Sequence, residues 1–160
     1  DRRLVMHIKI SVQEAAFDVG DETLELGRVS KQVGAITSFT GLVRDINENA
    51  GVSGLFLEHY PGMTEKQIAQ IIAEAGERWQ VLAVTVIHRV GELLPSEPIV
   101  FVGVASLHRG DAFNACEYII DFLKTRAAFW KKEQSVDGPR WLTTRASDVE
   151  TAKTWRSTEG

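Results

Sequence analysis

A chain of 160 residues, 44% hydrophobic and 25% charged, can bury a real core without staples and is read as one domain over 1–160. Its net charge of −4 and pI near 5.6 argue against general nucleic-acid binding, which needs a broad basic surface. A single cysteine excludes an internal disulfide framework and a cysteine zinc site, and no apolar run is long enough to span a bilayer. With no signal peptide recognised, a reducing, cytoplasmic setting is expected.

Met6 reads as the natural start, with residues 1–5 an added remnant. His7 to Val12 alternates, with Ile8, Ile10 and Val12 on one face, and is predicted as a strand. Phe17 to Gly27 is acidic and turn-rich, with a short helix expected around Thr23–Leu26. Gly34 to Arg44 is rich in β-branched and aromatic residues and reads as a strand. Asp45 to Gly54 carries Asn47, Asn49, Gly51 and Gly54 and is expected to be a mobile loop directly after Arg44. Leu55 to Tyr60 is the next strand, closed by Pro61 and Gly62.

Thr64 followed by Gln67 reads as a capping box at a helix start. Ile68, Ile71, Ile72, Ala75 and Trp79 then follow helical spacing. Val81 to Val90 is a predicted strand, and Leu94 to Pro98 a turn. Ile99 to Leu107 is almost wholly apolar, the pattern of a central strand buried on both faces. His108-Arg109-Gly110 breaks it, and Asp111 is expected to cap the helix that follows, whose apolar residues (Phe113, Cys116, Ile119, Ile120, Leu123) lie on several sides. A turn is expected at Ser135–Pro139, a short strand at Arg140–Arg145, and a frayed helix or tail from Ala146. Adjacent strands joined by turns predict an α+β domain with a mainly antiparallel sheet.

The chemistry concentrates in Asp121 to Glu133. Four cations (Lys124, Arg126, Lys131, Lys132) stand there with three aromatics (Phe122, Phe129, Trp130) and two carboxylates, a positive spot in an acidic chain. If the helix runs on, Lys124 and Lys131 lie two turns apart on one side, about 10 Å from each other. Cations beside bulky apolar groups suit an anionic, partly flat ligand; a solvated helix end is the alternative. His108 and Arg109 sit where a strand stops and a helix begins, so helix N–H groups would add to anion binding there; a histidine capping its own backbone is the alternative. Arg44, before the polar loop, reads by itself first as a solvated arginine.

No two of His7, His59, His88 and His108 have metal-ligand spacing, and H-E-x-x-H, G-x-S-x-G and P-loop patterns do not occur. Neither metal nor cofactor is therefore expected. Cys116 is expected to be buried and inert, His59 a packing or hydrogen-bonding residue, and Trp79, Trp130 and Trp141 core or interface.

Five runs carry a resemblance when taken together: Phe39-Thr-Gly-Leu-Val-Arg44, Leu57-Glu-His-Tyr-Pro-Gly-Met-Thr-Glu65, Val86-Ile-His-Arg-Val-Gly-Glu92, Ile99-Val-Phe-Val-Gly-Val-Ala-Ser-Leu-His-Arg109 and Leu123-Lys-Thr-Arg-Ala-Ala-Phe-Trp-Lys-Lys-Glu133. In order and spacing, over about Gly34 to Asp148, the chain resembles the catalytic large subunit of molybdopterin synthase. The resemblance implies an α/β-hammerhead-like α+β domain with extra strands. It implies a homodimer within a heterotetramer, each protomer taking one small ubiquitin-like sulfur-carrier subunit. The carrier's C-terminal Gly-Gly thiocarboxylate would deliver sulfur to cyclic pyranopterin monophosphate, making molybdopterin for molybdenum cofactor biosynthesis, with neither nucleic acid nor membrane involved.

Carried over residue by residue, the family's site falls on Lys124 and Lys131 as catalytic groups and on Arg44, His108, Arg109, Lys132 and Glu133 as substrate-binding groups. Arg145 matches an arginine offered to the partner protomer's pocket. Two positions depart from the family pattern: Leu42 stands where lysine is frequent, and Ala128 where proline is common before Phe-Trp. Without proline, the constraint ending the helix at this point is expected to relax. Lys124 is expected to lead acid–base catalysis with Lys131 beside it, and anions to sit between Arg109, Lys124 and Lys131 in one cationic cup. The competing reading is a non-catalytic module that binds an acidic peptide tail or phosphorylated ligand in a basic pocket.

Overall fold

The structure, a computed structural model, describes residues 5–44, 54–134 and 140–142, with 131–134 and 140–142 described through their backbone alone. Residues 1–4 of the expected 1–5 remnant, 45–53 of the expected 45–54 loop, the turn at 135–139, residues 143–145 of the expected 140–145 strand (Arg145 among them) and the tail from Ala146 lie outside the described residues.

Two four-stranded sheets are built from eight strands: β1 (His7–Gln13), β2 (Ala35–Leu42), β3 (Gly54–His59), β4 (Val81–Arg89), β5 (Gly91–Leu93), β6 (Pro98–Ser106), β7 (Phe129–Gln134) and β8 (Arg140–Leu142). Three helices accompany them: α1 (Val19–Arg28), α2 (Met63–Arg78) and α3 (Arg109–Arg126). The first sheet has the order β1-β4-β6-β2 and the second β5-β3-β7-β8. Every pairing is antiparallel except β1 with β4. The architecture is α+β, as the sequence predicts.

The first sheet is sandwiched between helices, which is why β4 and β6 are apolar on both faces. Val100, Val102 and Val104 of β6 pack with Ile68, Ile71, Ile72 and Ala75 of α2 and with Ala112, Ala115, Ile119 and Phe122 of α3. The alternate residues Phe101 and Ala105 meet Leu26 of α1. Each Ile or Phe so buried contributes about 1.5–3 kcal/mol. Gly103 makes room for α1, since a Cβ there would stand 2.4 Å from Leu26 Cδ1.

Local reading misjudged several boundaries. The turn-rich acidic segment forms a ten-residue helix, α1, because Asp18 accepts the Asp21 N–H and Leu26 is buried. Thr64 and Gln67 do not form the expected capping box. Gly62 is the N-cap of α2, and Glu65 reaches back to its N–H. Asp111 does not cap α3 either, because the helix begins earlier, at Arg109, and Asp111 Oδ2 accepts the Gln80 N–H at 3.1 Å.

The largest correction concerns the basic stretch. The helix does not run on from Lys124 to Lys131: it ends at Arg126, Ala127 is extended (φ −83, ψ 136), and β7 starts at Phe129. The expected two-turn spacing of these lysines on one helix face therefore does not exist. Although Ala128 imposes no proline constraint, tertiary hydrogen bonds end the helix. The Ala128 N–H donates to Gln67 Oε1 at 2.8 Å, and the Ala128 carbonyl accepts from Thr64 Oγ1 at 2.8 Å.

Candidate active site

The register of the first sheet fixes where each candidate lies. β2 runs antiparallel to β6, with Ala35 opposite Ser106 and Leu42 opposite Pro98. The two ends of β2 are thus about 23 Å apart. α3 follows β6 and returns along it. Near its start Asp111 is bonded to Gln80, beside the Ser106 end of the sheet, and its middle places Cys116 Sγ 3.6 Å from the Val102 carbonyl oxygen. Its far end passes into β7, where the Phe129 ring stacks on His88, opposite Val100, at 3.8 Å and 21°. Lys124 consequently belongs to the Pro98 end of the sheet, and Arg109 to the Ser106 end.

At the Ser106 end a hollow of about 540 Å³ is lined by Gly34, Ala35, Leu107, His108, Arg109 and Gly110. His108 occupies the N-cap position of α3 in extended conformation, with no side-chain cap hydrogen bond, and both His108 and Arg109 are exposed. The reading of His108 as a cap for its own backbone is thus set aside. The first-turn N–H groups of α3 and the guanidinium of Arg109 together make this end receptive to an anion. Gly34 is required here: its N–H donates to the Ser106 carbonyl at 3.0 Å, and a Cβ would stand 2.3 Å from the Leu107 oxygen.

Arg44 leaves the sheet at the opposite end. Val43 before it is buried and exchanges backbone hydrogen bonds with Glu97 and Ser96 (2.9 and 2.7 Å). Leu42, which departs from the family pattern, is exposed beside it. Lys124 is exposed in the last turn of α3. β7 carries Lys131, Lys132 and Glu133 at register positions opposite Leu57, Phe56 and Leu55 of β3.

One protomer therefore does not gather all the candidates into a single cup. Arg109 and Lys124 are fifteen residues apart on α3, about 22 Å along its axis. An anion hydrogen-bonded at about 2.7–2.9 Å cannot touch both ends of that helix. The expected anion position between Arg109, Lys124 and Lys131 is not available within one chain.

Other members of the basic stretch have structural duties. Arg126 forms a two-pronged ion pair with Glu74, which raises its pKa, and lies 5.2 Å from the Phe122 ring. Phe122 itself is core, 2% exposed. Trp130 meets Tyr60 edge-on at 3.9 Å, and Trp79 meets Tyr118 at 5.5 Å, so both tryptophans pack as expected. His59 Nε2 lies 3.4 Å from Glu65 Oε1. Burial pushes the Cys116 thiol up to about 12, so it is no nucleophile near neutral pH. Among the described residues no group of three or more His, Cys, Asp or Glu could hold a metal ion, and no helix is long and apolar enough to cross a membrane.

Sequence reasoning missed Gly34 as a lining residue and the ties of Thr64 and Gln67 to Ala128. Only Gly34 had a local signal, its place at the start of a predicted strand.

Comparison with known proteins is consistent across sequence and structure. A family model described as MoaE protein matches residues 12–126. The molybdopterin synthase catalytic subunit of Pseudomonas aeruginosa is 54% identical over 146 residues, covering 91% of this chain and 97% of that protein. A solved molybdopterin biosynthesis MoaE protein from Burkholderia ambifaria superposes with a TM-score of 0.81 at 45% identity, covering 93% of this chain and 98% of that one. A protein–protein complex of subunits 1 and 2 of the molybdopterin-converting factor from Helicobacter pylori contains a chain with a TM-score of 0.69. At 20% identity, with 86% of this chain and 91% of that one covered, it shows the shared fold alone.

Proposed function

The chain belongs to the MoaE family of molybdopterin synthase catalytic subunits, and from that membership we propose how its cations are used. It is an enzyme subunit of molybdenum cofactor biosynthesis. As a single catalytic domain in the cytoplasm, it takes sulfur from the C-terminal thiocarboxylate of a small ubiquitin-like carrier and transfers it to cyclic pyranopterin monophosphate.

The separation of the cations along α3 is the observation that carries this reading. Each end of the protomer holds half a site: Arg44, Lys124 and the lysine-bearing β7 at one end, His108 and Arg109 at the other. A homodimer completes the site when the His108–Arg109 end of one protomer faces the Lys124 end of its partner. Two equivalent sites follow from two-fold symmetry. Arg145 would add a further cation across the same boundary.

The chemistry follows from charge. The substrate phosphate and the carrier's thiocarboxylate repel one another, and the cations of a joined site hold both. Attack of the thiocarboxylate sulfur on the substrate carbon that carries the cyclic phosphate forms a C–S bond as that carbon's C–O bond breaks, the phosphate oxygen departing with the electron pair. Water then splits the acyl–sulfur bond and leaves the carrier tail as a carboxylate. Opening of the cyclic phosphate needs a proton at the departing oxygen, which the Lys124 ammonium supplies, with Lys131 beside it. Arg44, Arg109 and Arg145 grip phosphate in bidentate fashion, with His108, Lys132 and Glu133 orienting the reactants. Two loaded carriers deliver the two sulfurs in turn, the second displacing another substrate oxygen, which leaves as water.

The test is Lys124→Ala, assayed with thiocarboxylated carrier and cyclic pyranopterin monophosphate. The variant should keep its fold and dimer and lose product formation by on the order of 100-fold or more. Normal turnover would remove Lys124 from the mechanism. Failure of sulfur to reach the pterin with the unmodified protein would leave only a binding module.

A further inference from the structure

We propose that Gln67 and Thr64 are positioning residues for sulfur transfer: from the first turns of α2 they hold both backbone groups of Ala128 and so fix the strand bearing Lys131 relative to the helix bearing Lys124. The inference rests on the sulfurtransferase reading and adds residues that touch neither reactant.

The two lysines are joined by a short passage of chain. α3 ends at Arg126, Ala127 is extended, and β7 begins at Phe129. Any swing of this junction moves Lys131 against Lys124. Residue 128 is its midpoint, and α2 grips it from both sides. The Gln67 side-chain carbonyl accepts the Ala128 N–H, and the Thr64 hydroxyl donates to the Ala128 carbonyl, both at 2.8 Å. Thr64 is fully buried, and its oxygen also accepts the Tyr60 N–H at 3.1 Å, so the clamp is anchored to the end of β3.

These side chains are polar residues at a helix start that do not cap it. Glu65 does that work, which leaves Thr64 and Gln67 committed to a segment 64 and 61 residues away in sequence. The contacts on either side act in the same sense. Arg126 is tied to Glu74 of α2, Phe129 is stacked on His88, and Trp130 packs against Tyr60.

Ala127 already has the extended backbone (φ −83, ψ 136) that a following proline would impose. A ring at 128 and a hydrogen bond from 128 to Gln67 are thus alternative ways to restrain the same junction. Proline cannot donate the bond, and alanine cannot supply the ring. In this chain the restraint comes from Gln67.

The experiment compares the full-length protein with Gln67→Ala, Gln67→Glu, and Gln67→Ala combined with Ala128→Pro. Sulfur transfer is followed with thiocarboxylated carrier and cyclic pyranopterin monophosphate, together with Tm and amide exchange at 127–130. Misplacement of a catalytic group predicts that Gln67→Ala lowers kcat on the order of tenfold, with the carrier KM and Tm little changed. Exchange at Ala128 should quicken. Gln67→Glu, which keeps the acceptor, and the proline double variant should return kcat to within about twofold of the parent protein.

An unchanged kcat in Gln67→Ala would overturn the proposal. So would a loss that neither the acceptor nor the proline restores, since that is what a purely structural residue would give. Inactivity of the parent protein with loaded carrier would instead count against the sulfurtransferase reading itself.

Discussion

Two inactive variants, mixed, should regain activity if the site is assembled from two protomers. Arg109→Ala removes the proposed phosphate grip at the start of α3, and Lys124→Ala the proposed proton donor at its end. These positions are fifteen residues apart on one helix, about 22 Å, so they cannot serve the same site within one chain. In a two-fold dimer each site takes Arg109 from one protomer and Lys124 from the other. A mixed dimer then has one doubly damaged site and one intact site. Equal mixing with free exchange makes about half of the dimers mixed, so activity should recover to about a quarter of the parent protein's. The assay is product formation after the two variants are exchanged, with each alone as control. If the site lay within one protomer, every site in every combination would be damaged and activity would stay at the single-variant level. That outcome, from dimers shown to have exchanged, would refute the composite site.

Two further outcomes follow from the packing. Gly34→Ala would place a Cβ 2.3 Å from the Leu107 oxygen; the backbone beside His108 must shift, at a cost of about 1–3 kcal/mol read by denaturant unfolding. Phosphate-ester binding at that end should weaken with it, and a variant of unchanged stability and binding would show that the close approach is relieved elsewhere. Cys116 has a thiol raised to about 12 by burial, against about 8.5 in an unfolded chain. The folded state therefore binds the extra proton between these values, so its contribution to stability is complete below about pH 8.5 and is lost as pH rises toward the folded value. Alkylation at pH 8 should be slow in the native protein and fast in denaturant; rapid native labelling would show that the thiol is accessible.

Much of the fold was legible because its signals are local. The alternation of Ile8, Ile10 and Val12, the apolar run from Ile99, and the spacing of Ile68, Ile71, Ile72 and Ala75 each mark an element that matches the structure. Boundaries that depend on distant partners were not legible. The acidic segment from Asp18 becomes a helix whose Leu26 is buried in a cluster with Phe101 and Ala105 of β6. Asp111, which reads as a cap, bonds instead to Gln80 on a neighbouring element. The basic stretch reads as one helix because nothing between Lys124 and Lys131 breaks helical propensity strongly, and alanine at 128 even favours continuation.

The sequence alone determined most element types, though not strands β5 and β7, together with the double-sided burial of β6, the inertness of Cys116, and through five linked motifs the family and its sulfur-transfer role. The elements and the burial of Cys116 follow from short-range periodicity and apolar neighbours along the chain; the family and its role follow from the resemblance those motifs carry. Tertiary structure alone decided that α3 stops at Arg126, and that the cations divide between two ends of one sheet. Hydrogen bonds from Thr64 and Gln67 to Ala128 set the first, and the antiparallel return of α3 along β6 sets the second. Both depend on groups far apart in the chain, whose meeting no local pattern encodes.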